Sequence, residues 1–134
     1  MKTTNYINTF IAVADDCKAT EGKIPPLRAD HKTVANFQFE MIAHHPYQYT
    51  SDDVIYATYK IKQGNTALSR DEYFSTGKAC LRTSPLAKTY GWGIHANENG
   101  KVAVYEVNSE KYFQLQNDTS IVQTKAMRSK REKY

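Results

Sequence analysis

Gly93 and His95, with Glu106 further along, form the first pattern in this chain with chemical potential. Gly93 has no side chain, so it leaves space beside His95, and Glu106 falls on the next predicted strand. An imidazole with a gap on one side and a carboxylate on the other can move a proton or bind a ligand. The structural alternative is a half-buried histidine bonded to Glu106 or to backbone, with Gly93 marking a bulge or a close backbone approach. A second pattern is Cys80 and Arg82, which share one side if residues 79–83 form a strand. A guanidinium beside a thiol favours the reactive thiolate, and Arg82 can also bind an anion through two parallel bonds. The alternatives are a cysteine that fills core and an arginine in a salt bridge.

Three other groups are weaker. Adjacent His44 and His45, with His31 upstream, point about 100° apart on a helix and do not share a metal ion readily. No Cys or carboxylate completes a tetrahedral set around them, so no metal and no cofactor is expected. Asp52 and Asp53 could be paired carboxylates, but Thr50-Ser51-Asp52-Asp53 reads as a helix start, which accounts for both. Glycine-rich phosphate loops and the nucleophile elbow of hydrolases are absent from the sequence.

The basic residues are unevenly placed. Lys125, Arg128, Lys130, Arg131 and Lys133 are five of the chain's 18 basic residues, and Glu132 is one of its 14 acids. Residues 1–124 therefore balance, and the whole net charge of +4 sits in the last ten positions. Such an arm can bind phosphates non-specifically, whereas the neutral body has no bias toward a polyanion. Ile121, Val122 and Met127 offer apolar anchors that would place its arginines on the body.

Elements must position these groups. The length of 134 residues suits one domain, and 40% hydrophobic with 24% charged residues suits a folded core. We expect a globular unit over 1–124 and a basic segment over 125–134 that packs on it. No apolar run approaches the ~20 residues of a membrane span, and no apolar stretch follows Lys2 as in a secretory signal. Two distant cysteines fit a reducing compartment, so a cytosolic protein is expected.

Residues 9–14 read as a strand covered on both faces. Residues 18–32, with Gly22, Pro25 and Pro26, read as a long surface loop. Residues 33–44 alternate like a strand but also carry a helical stripe, and a helix is preferred. Residues 54–61 are helix after the Thr50 cap, or strand by their β-branched content. Residues 69–76 and 109–116 read as helices capped by Ser69 and Ser109, residues 79–83 as a short strand, and Ser84-Pro85 as a helical turn. The strongest element is a hairpin over about 91–107, turning at Asn97-Glu98-Asn99-Gly100. A loop of two or four residues sets Trp92, Ile94 and Ala96 beside Ala103 and Tyr105. It sets Gly93 and His95 beside Val102, Val104 and Glu106. The expected fold is α+β, a small, mostly antiparallel sheet with packed helices.

Thr50-Ser-Asp-Asp-Val54, Ser84-Pro-Leu86 leading into Tyr90-Gly-Trp-Gly-Ile-His95, and Lys125-Ala-Met-Arg-Ser-Lys-Arg131 together resemble an uncharacterised family of short, mainly bacterial proteins. Asn5-Tyr-Ile-Asn-Thr-Phe10 and Thr33-Val-Ala-Asn36 fit it too. The resemblance covers nearly the whole chain and implies a complete domain with the basic end as part of its pattern. It implies no activity, substrate or catalytic residue.

The leading expectation is a binding domain for a small or anionic ligand, with Arg82, Trp92, His95 and Glu106 around one pocket and Arg128 or Arg131 added by the tail. The alternatives are a nucleic-acid-associated protein using Lys125, Arg128, Lys130, Arg131 and Lys133, and an enzyme using His95 as acid/base or Cys80 as nucleophile.

Overall fold

The computed structural model describes residues 1–130, and Arg131 and Lys133 lie outside them. The fold is α+β. A four-stranded sheet runs in the order β3-β2-β1-β4, where β1 is Thr9–Ala12, β2 Trp92–Ala96, β3 Val102–Glu106 and β4 Val122–Lys125. β1 pairs antiparallel with β2 and parallel with β4, and β2 with β3 is antiparallel. β1 is buried at every position, because both faces of the sheet are covered. On one side Ile11, Ile94, Ala96 and Val102 join a core with helix residues Phe39, Ile42, Val54 and Leu86. On the other, Phe10 and Ala12 pack with Tyr112 and Leu115. Full burial of Phe10 stabilises the fold by roughly 2–3 kcal/mol.

Short-range capping starts each helix. In α1 (Val34–Ala43) Thr33 accepts from the Asn36 N–H, and the Asn36 side chain accepts from the Thr33 N–H in return. Its buried residues include Ala35, Gln38, Phe39 and Ile42, the helical spacing, so the strand-like alternation of 35–43 is not used. In α2 (Ser51–Gln63) Thr50 and Asp53 make the same reciprocal cap. The β-branched residues are overridden there because Val54 and Thr58 fall on the buried face. α3 (Arg70–Tyr73), capped by Ser69, is shorter than the expected 69–76. α4 (Pro85–Lys88) follows Ser84, and α5 (Glu110–Gln116) follows Ser109.

Residues 79–83 do not form the expected strand. Thr83 N–H donates to the Cys80 carbonyl and Ser84 N–H to that of Leu81, giving a 3-10 turn at Leu81–Thr83 that drives Leu81 into the core.

The hairpin is where expected, but its facing is reversed. Asn97 N–H donates to the Lys101 carbonyl at 2.9 Å and Gly100 N–H to that of Asn97 at 3.0 Å, with Gly100 at φ +75°. This is a three-residue turn closed by a glycine bulge, stabilised by the Asn97 side chain accepting from Asn99 and Lys101 N–H. An odd loop changes parity, so Trp92 pairs with Glu106 and His95 with Ala103. Trp92, Ile94 and Ala96 share a face with Val102, Val104 and Glu106, and Gly93 and His95 share theirs with Ala103 and Tyr105.

β4 runs across position 124, and Ala126 beyond it is 4% exposed in the main core. Two apolar anchors hold the segment, half-buried Ile121, as expected, against the Phe10–Tyr112 cluster and Ala126 in the main core; Val122 and Met127, expected in that role, are 60% and 47% exposed. No described helix is long and apolar enough to cross a membrane.

Candidate functional site

The reversed hairpin separates the residues expected to line one pocket. Trp92 and Glu106 instead clamp the 15–33 loop. Trp92 Nε1 donates to the Lys23 carbonyl at 2.9 Å, its ring lies 5.1 Å from that of Phe39, and Glu106 accepts the Gly22 N–H at 3.1 Å. Gly22 is needed for this approach, since a Cβ there would come within 2.7 Å of the indole. The Asn36 side chain donates to the Pro25 carbonyl at 2.6 Å and fixes the next stretch of the loop.

His95 has a different partner from the one expected. Its Nδ1 lies 2.7 Å from the Tyr47 hydroxyl, which is 2.8 Å from that of Tyr105. Burial pulls His95 below the ordinary histidine value, Lys111 adds to the shift, and Asp118 and Glu98 oppose it. Burial, with the Tyr105 hydroxyl, pushes the Tyr47 phenol far above its usual range. These shifts keep both His95 and Tyr47 neutral at physiological pH, and the hydrogen-bonded string runs on to the Tyr105 hydroxyl. The space over Gly93 is not open either: a Cβ there would lie 2.5 Å from Phe10 Cζ and 2.6 Å from Tyr112 Cε2. Gly93 admits two aromatic rings to the sheet, not a ligand.

Arg82 stands in a separate, more open place, built by the 3-10 turn and the returning C-terminal segment. Its Nε donates to the Lys125 carbonyl at 2.7 Å, and its own carbonyl accepts the Met127 N–H at 2.8 Å. This reciprocal pairing lays residues 125–127 along the turn. Further on, Asp16 accepts backbone N–H groups from Ser129 and Lys130. Burial works to raise the Asp16 carboxyl, but these donors and the Arg128 charge hold it below its ordinary value. A groove of about 490 Å³ results, lined by Asp15, Arg82, Lys125, Ala126, Met127, Arg128 and Lys130. Four basic residues and one acidic residue line it, and Lys125 pairs with that acid, Asp15, at 2.8 Å.

Cys80 meets Arg82 through a third residue and not along a strand. The Tyr6 hydroxyl lies 3.2 Å from Cys80 Sγ. Burial, then Cys80, raises the Tyr6 phenol, and the Arg82 charge acts against them. Both cysteines are free thiols.

Asp52 and Asp53 are not a pair. The Asp53 carboxylate accepts the Thr50 N–H at 2.9 Å in the α2 capping box and bonds Arg70 at 2.8 Å. Asp52, 1% exposed, accepts from Thr4 N–H, Thr4 Oγ1 and Thr3 Oγ1, all at 2.7 Å, and ties the N-terminal segment to the helix start. His44 ends α1 and His45 packs edge-on against Tyr49. Among the described residues no group of three or more His, Cys, Asp or Glu is placed to hold a metal ion.

The structure therefore brings Arg82 and Arg128 together, keeps Trp92 and Glu106 together at the loop, and leaves His95 apart from both. Arg131 lies outside the described residues. Asp15, Asp16 and Tyr6 escaped sequence reasoning; the adjacent acids just after β1 were the one available signal that a basic segment returns there. No curated protein and no solved structure matches the chain. A family model matches residues 1–132, nearly the full length. The chain belongs to that family, DUF6157, a family of unknown function.

Proposed function

We propose that this is a cytosolic bacterial binding domain for a small anionic ligand, held in the groove between Arg82 and residues 125–130. The observation that carries the reading is that Arg82, Arg128 and Lys130 line one groove whose single lining carboxylate, Asp15, is already paired with Lys125. A guanidinium oriented through its Nε can present its planar fork to a carboxylate or phosphate. The two free thiols suit a reducing compartment. The nucleic-acid alternative needs the tail as an extended arm, and docking of residues 125–130, with Lys125 spent on Asp15, favours the small ligand. The enzymatic alternative needs a substrate beside His95 or Cys80; the Tyr47 hydroxyl holds His95 Nδ1, and the Cys80 thiol, though it lines a cavity of about 210 Å³, is bonded to the Tyr6 hydroxyl.

The test is titration of the full chain with citrate and with inorganic phosphate, followed by amide chemical shifts. Binding should perturb residues 82 and 125–130, and Arg82→Gln or Arg128→Gln should weaken it about tenfold, the effect of one lost charge-assisted pair. Shifts confined to other residues, or unchanged affinity in both variants, overturn it. Tight duplex binding abolished by salt, with no response to either small anion, would favour the nucleic-acid alternative.

A further inference from the structure

A second cavity, sharing no residue with the Arg82 groove, lies where the 26–35 segment meets Lys62 and the Pro85–Tyr90 turn. Its volume is about 800 Å³, within the range of small-molecule sites. Arg28, Lys32, Lys62 and His31 line it, and no carboxylate does; Asp30, next to His31, is outside the lining. Lys32 is engaged by Glu40 at 2.8 Å, whereas Arg28 and Lys62 form no ion pair among the described residues. The rest of the wall is largely apolar, and Leu27 stands about half exposed on it.

The segment that carries Arg28 and His31 is shaped to present them together. Their backbones exchange two hydrogen bonds of 2.9 Å across a two-residue turn. Directly opposed residues of such a pair project their side chains to the same side. The turn puts Ala29 at φ 48° and Asp30 at φ 64°, a left-handed conformation that costs an alanine more than a glycine. The Pro25 anchor to Asn36 and the Thr33 cap hold the other end of the segment against α1.

We propose that this cavity is a second binding site, for an organic anion whose charged group, a carboxylate or phosphate, meets Arg28 and Lys62 while an apolar body lies on Leu27 and Pro85. Cations alone would serve inorganic ions. The apolar wall beside them selects a ligand with both parts, because the body removes apolar surface from water while the head is neutralised.

Phenyl phosphate, inorganic phosphate and benzyl alcohol, titrated separately into the full chain, test this by amide shifts. Phenyl phosphate should perturb residues 26–35 and 62 and bind about tenfold more tightly than either of the others, each of which supplies half of the recognition. Arg28→Gln and Lys62→Gln, both at exposed positions, should each weaken phenyl phosphate, and Leu27→Asn should weaken phenyl phosphate but not inorganic phosphate. Shifts at 125–130 report the other groove separately in the same spectra. The proposal is overturned if residues 26–35 do not respond, if benzyl alcohol binds as well as phenyl phosphate, or if the two charge variants, with unchanged thermal unfolding, bind as the parent does.

Discussion

Asp16 Oδ2 accepts the backbone N–H of Lys130 at 3.0 Å, a contact that closes 114 residues of sequence. The same oxygen accepts the Ser129 N–H at 2.9 Å. One carboxylate just after the central strand thereby holds the segment that carries much of the chain's net charge. Because these bonds depress the Asp16 carboxyl, the stability it lends to the docked segment is complete above the ordinary aspartate value of 3.8. That stability is lost as the pH falls from there through the depressed folded value. Protection of the Ser129 and Lys130 amides, their exchange rate relative to the unfolded-chain rate at the same pH, should fall on acidification through this window. Asp16→Asn, which retains only a neutral acceptor, should show lower protection already at pH 7 and little further loss of protection in acid.

Gly93→Ala tests whether the space beside His95 is filled. The added Cβ would press on Phe10 and Tyr112, two rings packed edge to face with centroids 5.0 Å apart. Overpacking of this kind costs about 1–3 kcal/mol, read as a lower denaturant midpoint. An open pocket at that position would instead accept the methyl group with no change.

Asp52→Ala should destabilise the fold by about 3 kcal/mol, because it strands the buried Thr4 N–H and hydroxyl and cuts the N-terminal segment loose. Asp53→Ala, which removes a half-exposed cap and its Arg70 pair, should cost about 1 kcal/mol. Chemical denaturation of the two variants checks the order, which separates a buried tether from an ordinary helix cap.

His95 should titrate below the ordinary histidine value of 6.5. Between that value and the lower folded one, the unfolded chain binds the proton and the folded chain does not. Stability contributed here therefore rises with pH across the window and is level above it. Nitrogen-15 shifts of the imidazole give the folded value directly. Tyr47→Phe removes the hydroxyl 2.7 Å from Nδ1 and should alter the tautomer balance seen in the same spectra.

Local chemistry determined much of this protein from sequence alone. Thr50, Ser69, Ser84 and Ser109 all start helices, because a cap is settled within about three residues of chain. The doubly covered strand at 9–12 and the hairpin at 92–106 follow from apolar runs and an Asn-Gly turn. Only the tertiary structure decided which way the hairpin faces. Asn97 and Gly100 close an odd turn where an even one was equally compatible with the residues, and a one-residue difference moves every side chain to the opposite face. That single step took Glu106 away from His95 and gave His95 to Tyr47. The place of the basic segment was likewise beyond local reasoning. Its parallel pairing with β1 and its bonds to Asp16 and Arg82 join residues more than 40 positions apart, and no short-range preference encodes such a contact.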